Sequence, residues 1–227
     1  TIGRANPFFV SPNGAASNQI QYSFVGELPT PIIRATAESL SASLGGRLRL
    51  PGDWSADGYL GFAQEIDEAR SKGNVNTAIL AEALGNVANR PETTYTPARD
   101  GYFNPYTGFA TNPVAVTSAL GSGFTINRSR SQVRTANLQA DGSLFSLPGG
   151  SVKVALGVNA RRETFSRVGS SYTSTVAPAP QNGVSGSRDV VAGFAEIRVP
   201  LVGEDNARPG IAELELSHRS ILIAGHG

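Results

Sequence analysis

The chain of 227 residues has no cysteine and no methionine, and it has only one tryptophan and two histidines. The lack of cysteine excludes disulfide frameworks, thiolate metal sites and cysteine nucleophiles. No apolar run reaches the roughly 20 residues that a membrane-spanning helix needs. The N-terminal residues TIGRANPFF show neither an initiator methionine nor a signal peptide. We therefore expect a mature or internal fragment, whose localisation cannot be read from its start.

Charge is also scarce. Charged residues make up 16% of the chain, which is below the roughly 25% usual in soluble domains. The net charge of +1 gives no electrostatic reason to expect a nucleic-acid partner. The 26 glycines and 14 prolines indicate many turns and argue against a helical bundle.

The clearest pattern in the sequence is an alternation of apolar and polar residues. From residue 40 to residue 50 the leucines share one face, and serines and arginines occupy the other. The turn signal Pro51-Gly52-Asp53 follows, and the alternation then resumes through Leu60. This predicts a β-hairpin. Trp54, beside the turn, is either a membrane-interface aromatic or an ordinary core residue near a loop.

Residues 147–216 extend the same pattern over three long strands, LPGGSVKVALGVNARRETFSR followed by SRDVVAGFAEIRVPLVGEDNARPGIAELEL. Even-numbered residues from 152 to 160 form an apolar face that we expect to contact lipid or another apolar surface. The opposite face is polar, and we expect it to line a polar interior. Its members are Lys153, Asn159, Arg161, Glu196, Arg198, Glu213 and Glu215.

Between these segments the period of two is lost. Residues 76–88 and 114–120 have helical spacing, with Asn74 or Asn76 as a cap for the first helix. We expect the whole chain to form one β-barrel segment with five parts. They are an irregular part at 1–35, a hairpin at 36–65, a long loop with short helices at 66–131, strands at 132–219 and an atypical tail at 220–227. Within the first part, Ile20, Tyr22 and Phe24 predict a short strand. Residues 166–187 are expected to form a second long loop. In the tail, Ile221 and Ile223 are out of phase with Leu214 and Leu216, so either a bulge intervenes or the tail lies outside the strand.

Together these patterns predict an all-β chain of about seven antiparallel strands whose connections alternate between short and long. Outer-membrane barrels connect their strands in this way, and several strands reach the roughly 9–11 residues needed to cross a bilayer. The predicted fold class is therefore a segment of a membrane β-barrel with long external loops that carry short helices. A small soluble β-barrel or sandwich is the alternative.

The segments LPGGSVKVALGVNARRETF, SRDVVAGFAEIRVPLVG and PGIAELELS resemble the mid-barrel region of TonB-dependent outer-membrane receptors of Gram-negative bacteria. Upstream, LRLPGDWSADGYLGFAQE, GNVNTAILAEALG and FNPYTGFATNPVAV are similar to the same family and stand in the same order. The resemblance runs from about residue 40 to residue 216.

The resemblance implies a barrel of roughly 22 strands in the outer membrane whose lumen holds an N-terminal plug. It implies several partners: outer-membrane lipid, the remainder of the receptor with its plug, a TonB-type energy transducer that acts through the plug, and a scarce small-molecule substrate such as a metal chelate or an oligosaccharide. No cofactor is expected. The sequence departs from the family in lacking a plug, an energy-coupling box and most barrel strands, and its tail leaves the pattern after Ser217. A truncated reading frame, a proteolytic piece or partial coverage of a longer chain would each explain these departures.

Signals for catalysis are thin, and we expect no catalytic residue and no metal site. Gly183-Val184-Ser185-Gly186-Ser187 fails the G-x-S-x-G pattern, and the only histidines are His218 and His226. The alternative function is a truncated fragment that folds as a soluble β protein with a binding activity, or with a hydrolase-like activity through Ser185 and a histidine. We interpret the polar face as a paired wall, with a plug contact or substrate path as the alternative. Four loop aromatics could stack on a ligand, although packing within the loop is the interpretation we favour. They are Tyr102, Phe103, Tyr106 and Phe109.

Overall fold

The computed structural model describes residues 1–108, 111–211 and 213–226. Strands make up 58% of the chain and helices 9%, so the protein belongs to the all-β class. The chain forms two compact units. Unit 1 comprises Thr1–Ala37, Asp67–Ser129 and Arg167–Val184, and unit 2 comprises Glu38–Ile66, Arg130–Ser166 and Ser185–Gly227.

A six-stranded antiparallel sheet dominates the structure, and its strands follow one another in chain order. Two very short strands pair separately. No helix among the described residues combines the length and the apolar composition that a membrane crossing requires. The elements are β1 (Ile2–Gly3), β2 (Ser17–Asn18), β3 (Ile32–Arg49), β4 (Ser55–Asn74), α1 (Thr77–Ala83), α2 (Pro97–Asp100), α3 (Val114–Leu120), β5 (Gly123–Leu147), β6 (Gly150–Ser171), β7 (Ala179–Val202), a 3-10 turn (Glu204–Asn206) and β8 (Leu214–His226).

Cross-strand contacts show which residues of unit 2 share a face of the sheet. Arg47 on β3 lies 3.5 Å from Asp57 on β4, and Asp57 accepts a hydrogen bond from Gln139 on β5 at 3.1 Å. Asn159 on β6 donates to Thr135 on β5 at 3.3 Å. Because neighbouring residues of a strand point to opposite sides, these contacts define a polar face and leave the intervening residues on the other side. We call that other side the apolar face.

The apolar face forms a continuous band without charge. Within residues 40–50, 54–62, 136–142, 154–160, 191–199 and 214–224 it carries no Asp, Glu, Lys or Arg. Its large side chains lie open, as at Leu44, Leu138 and Leu222, which are 79%, 57% and 77% exposed. The sheet in unit 2 therefore presents an apolar surface that the described residues leave uncovered. Further exposed members are Leu40, Leu48, Leu60, Leu156, Val158, Val191, Ile197 and Leu216.

The hydrophobic core lies instead in unit 1. There α1 and α3 contribute Ile79, Ala83, Val116 and Leu120 to a cluster that also buries Phe103. Asn76 caps α1 by accepting hydrogen bonds from the amides of Ala78 and Ile79, as the sequence predicted for one of its two candidate caps. Thus a small packed core stabilises unit 1, whereas β3 and β8, at the two edges of the sheet, are exposed along their whole length.

The strands are longer than the sequence indicated, so two loops are shorter than predicted. The expected loop at 66–131 is wrong at both ends, because β4 continues to Asn74 and β5 begins at Gly123. The expected loop at 166–187 likewise belongs largely to β6 and β7. These stretches are mostly polar on both sides, with few apolar residues such as Phe124 and Ile126, and so they have no sustained period of two. The strand predicted at Ile20, Tyr22 and Phe24 is also wrong, since these residues lie outside strands.

The tail is part of the sheet. Leu214–His226 is one strand, paired without interruption from Pro200↔Glu215 to Asp189↔His226. The register shift lies on β7, between Pro200 and Val202, and both explanations offered for the tail are therefore wrong. Ile221 and Ile223 lie on the polar face, opposite Phe194 and Ala192. Gly227 lies outside the described residues.

The turn between β3 and β4 is held by Trp54. Its indole Nε1 donates to the carbonyl oxygen of Ser143 at 3.0 Å, and its ring lies against the backbone of Gly142 on β5. A Cβ at position 142 would overlap the ring carbons. An aromatic ring placed over a glycine of the neighbouring strand pins the register of that pair.

We predict that Gly142→Ala destabilises the protein by about 1–3 kcal/mol, because the ring must move and overpacking has this cost. Gly46→Ala is the matched control, since position 46 is on the same face and has open space around its Cβ. Equilibrium urea unfolding measures both changes, and the fluorescence of the single tryptophan reports the ring. Equal stabilities for the two variants would contradict this packing.

Candidate functional site

The polar face carries the residues that the sequence singled out as a polar wall. Lys153, Asn159 and Arg161 lie on β6. Glu196 and Arg198 lie on β7, Glu215 lies on β8, and Glu213 immediately precedes β8. The orientation of this wall toward a lumen stays a prediction.

Strands β7 and β8 are joined on this face by ion pairs. Arg198 Nε donates to Glu215 Oε2 at 2.5 Å. Glu196 lies opposite Arg219 in the register, with 3.7 Å between Oε2 and Nε. The Arg219 guanidinium also lies 5.1 Å from the centre of the Phe194 ring, which is a cation–π arrangement.

A second network links β6 and β7. Glu163 accepts a hydrogen bond from Arg188 Nε at 2.8 Å across the two strands. Arg161 Nε on its own strand lies 2.7 Å from the same carboxylate, so Glu163 forms ion pairs with two guanidinium groups. The sequence reading missed Glu163 and Arg188, although the alternation places Glu163 two residues from Arg161 on the same face. These contacts place opposite charges beside four of the predicted wall residues, Arg161, Glu196, Arg198 and Glu215.

Four of the seven predicted wall residues meet in one cleft of about 390 Å³ near the turns of the sheet. They are Lys153, Arg198, Glu213 and Glu215, and Glu204 joins them. The cleft has opposite charges side by side, which suits polar or zwitterionic groups. None of the described residues forms a group of three or more His, Asp or Glu that could hold a metal ion.

The three loop aromatics that the structure describes do not form one ligand-stacking surface. Phe103 is 1% exposed and belongs to the core of unit 1, whereas Tyr106 is 46% exposed. Tyr102 is half-buried, and Phe109 lies outside the described residues. Burial removes Phe103 from the role of an open stacking platform, because its ring is already packed.

Phe103 packs instead with two aromatics that the sequence reading assigned to a strand. Its ring centre lies 5.1 Å from that of Tyr22, edge to face, and 5.7 Å from that of Phe24. This cluster borders an apolar pocket of about 180 Å³, together with Leu80 and Leu84. Burial, followed by the adjacent Glu27 carboxylate, raises the pKa of the Tyr22 hydroxyl. The alternation at Tyr22 and Phe24 predicted a strand and gave no indication that these rings would meet Phe103.

The segment that precedes Phe103 is held by Asp100. Its carboxylate accepts from Arg99 Nε at 2.7 Å and from the Thr96 amide at 2.9 Å. Arg99 donates in turn to the carbonyl of Thr94 at 2.6 Å. The Arg99 hydrogen bond, followed by the Thr96 amide, lowers the pKa of Asp100 from its usual 3.8 to about 2.

The serine and histidines considered for hydrolysis do not occupy a catalytic geometry. Ser185 lies inside β7, in extended strand and not in a strand-to-helix turn. His218 and His226 lie on β8, where the imidazole of His218 shares a hydrogen bond with Ser220 at 3.0 Å.

In comparisons with protein families, with characterised proteins and with solved structures, nothing matches this chain.

We predict that the Thr96 amide signal in NMR titrates with a midpoint near pH 2, and that it does not titrate in Asp100→Asn. Because the folded pKa is depressed, the stabilisation from Asp100 is complete above about pH 3.8 and is lost as the pH falls toward 2. A midpoint at the usual carboxyl value would show that Arg99 does not hold this carboxylate.

Proposed function

We propose that this chain is part of the wall of a TonB-dependent outer-membrane receptor, a protein that binds and imports a scarce small molecule such as a metal chelate or an oligosaccharide. In this proposal the apolar face contacts the lipid of the Gram-negative outer membrane and the polar face lines the lumen. The plug, the remaining strands and a TonB-type energy transducer complete the transporter.

The uncharged band on the apolar face supports this proposal most strongly. It runs from Leu40 on β3 to Leu50, the first residue after this strand, which is about 33 Å at the usual rise of a strand. A tilt of about 40° reduces this to roughly 25 Å, the height of the apolar band on outer-membrane barrels. Trp54 lies at one end of the band, beside a turn, where the aromatic girdle of such barrels is found.

The polar face supports the same proposal from the other side. Polar side chains there are paired across the strands, as in Arg47–Asp57, Arg198–Glu215 and Glu163–Arg188. A sheet whose two faces differ in this way fits a wall between lipid and water. The exposed edges of β3 and β8 also fit, because backbone groups in lipid must be paired and further strands of the receptor would pair them.

A soluble β protein is the second candidate, and unit 1 favours it. That unit has its own core around Ile79 and Phe103, and it contains the small apolar pocket beside Tyr22. In this alternative another protein layer, and not lipid, covers the apolar face. The two candidates differ in what a charge on that face does.

Arginine substitutions on neighbouring residues of β5 test the proposal in the full-length gene product, reconstituted in phosphatidylcholine vesicles. We predict that Leu138→Arg lowers the free energy of unfolding by about 2–4 kcal/mol, because a charge in the middle of the lipid-facing band is costly. Gln139→Arg, on the polar face beside Asp57, should change it by no more than about 0.5 kcal/mol. Equal, small effects, or a protein that folds cooperatively in buffer and does not enter vesicles, would contradict the membrane proposal.

A further inference from the structure

A shallow groove of about 790 Å³ crosses β4 to β7 where the apolar band ends. Its floor is apolar, and three arginines and one aspartate stand among its lining residues. Arg161 belongs to the polar face, where it lies 2.7 Å from Glu163, and this leaves two arginines beside the floor. Floor residues that belong to the apolar face are Leu60, Phe62, Ala136, Ala160 and Val191.

The arginines are Arg134 on β5 and Arg162 on β6, and they lie on the same face as the apolar floor. Arg162 Nε is 3.8 Å from the Asp189 carboxylate on β7, and both side chains of this pair are more than half exposed. Such a long, exposed pair is weak. Two guanidinium groups and one carboxylate leave the groove with an excess of positive charge.

We propose that this groove binds a phosphorylated lipid, with the phosphate on Arg134 and Arg162 and an acyl chain along the apolar floor. The inference rests on the membrane-wall function proposed above. Guanidinium groups are suited to phosphate because they donate in a planar fork that matches two phosphate oxygens. The floor below them continues into the uncharged band, so a lipid whose headgroup meets the arginines has its chain beside Leu60 and Phe62.

The position of the groove supports a lipid as the occupant. Beyond it the apolar face becomes polar, as shown by Gln64 and Gln132, whose side chains hydrogen-bond at 2.7 Å. The arginines therefore lie at the border between the apolar and polar parts of this face, where lipid phosphates would lie. Basic groups near a membrane surface each contribute about 1 kcal/mol toward an anionic lipid, which is a preference of roughly fivefold per arginine.

A local reporter can measure this preference. Phe62→Trp in a Trp54→Phe background places the single tryptophan on the groove floor. The full-length gene product is reconstituted in phosphatidylcholine vesicles that contain a small fraction of brominated phosphatidic acid or of brominated phosphatidylcholine. We expect phosphatidic acid to quench the tryptophan at a concentration several-fold lower than phosphatidylcholine does.

Variants of the two arginines then test whether these side chains cause the preference for phosphatidic acid. Arg134→Gln and Arg162→Gln should each reduce the preference about fivefold. Asp189→Asn should increase it, because the competing carboxylate is removed. Arg47→Gln, on the polar face beside Asp57, is the control and should leave it unchanged.

The outcomes separate this inference from the membrane proposal. Quenching by both lipids without a preference, or a preference that survives both arginine substitutions, overturns the lipid site and leaves the membrane wall intact. Absence of quenching by either lipid overturns the membrane wall as well. Loss of the preference on adding inorganic phosphate at the concentration of the lipid would show a phosphate site without a role for the acyl chain, and that also overturns the proposal.

Discussion

The structure depends on what covers the apolar face of its sheet. A single-layer sheet with one uncharged, leucine-rich side is unfavourable in water, where each large apolar side chain left open forfeits about 1.5–3 kcal/mol. Within the described residues, the core cluster that unit 1 builds from α1, α3 and their neighbours is not matched by one in unit 2. Either lipid or another apolar layer must therefore cover the apolar face of unit 2. The ion-paired polar face and the open edge strands both fit a sheet that is covered in this way.

The two faces of the sheet are stabilised by different interactions. On the polar face, charges are kept in pairs across neighbouring strands, such as Glu163 with Arg188, so that a wall can be polar without excess charge. On the apolar face, glycine and aromatic residues set the register, as where Trp54 lies over Gly142. Charge returns to that face at its border, at Arg134, Arg162 and Asp189, and the excess of positive charge makes the groove there a candidate site for an anionic lipid.

Much of the sheet could be predicted from the sequence because one side of each strand is apolar. The alternation around Leu44 and around Val154 identified both faces correctly, and helical spacing identified α1 and α3. The predictions failed where that asymmetry is absent. Strand ends with polar residues on both sides were taken for loops, and Ile221 was taken for a sign of irregularity because its apolar side chain lies on the polar face opposite Phe194. The pairing of Phe103 with Tyr22 depends on irregular backbone, and the alternation around Tyr22 predicted a strand in its place.

The most direct test of the account is the depth and side of the strands in a bilayer. In a Trp54→Phe background, Leu44→Trp and Ser43→Trp place the single tryptophan on opposite faces of β3. In phosphatidylcholine vesicles whose lipids carry bromine midway along their acyl chains, we predict strong quenching for Leu44→Trp and little for Ser43→Trp. Equal and weak quenching at both positions would show that the apolar face does not contact lipid.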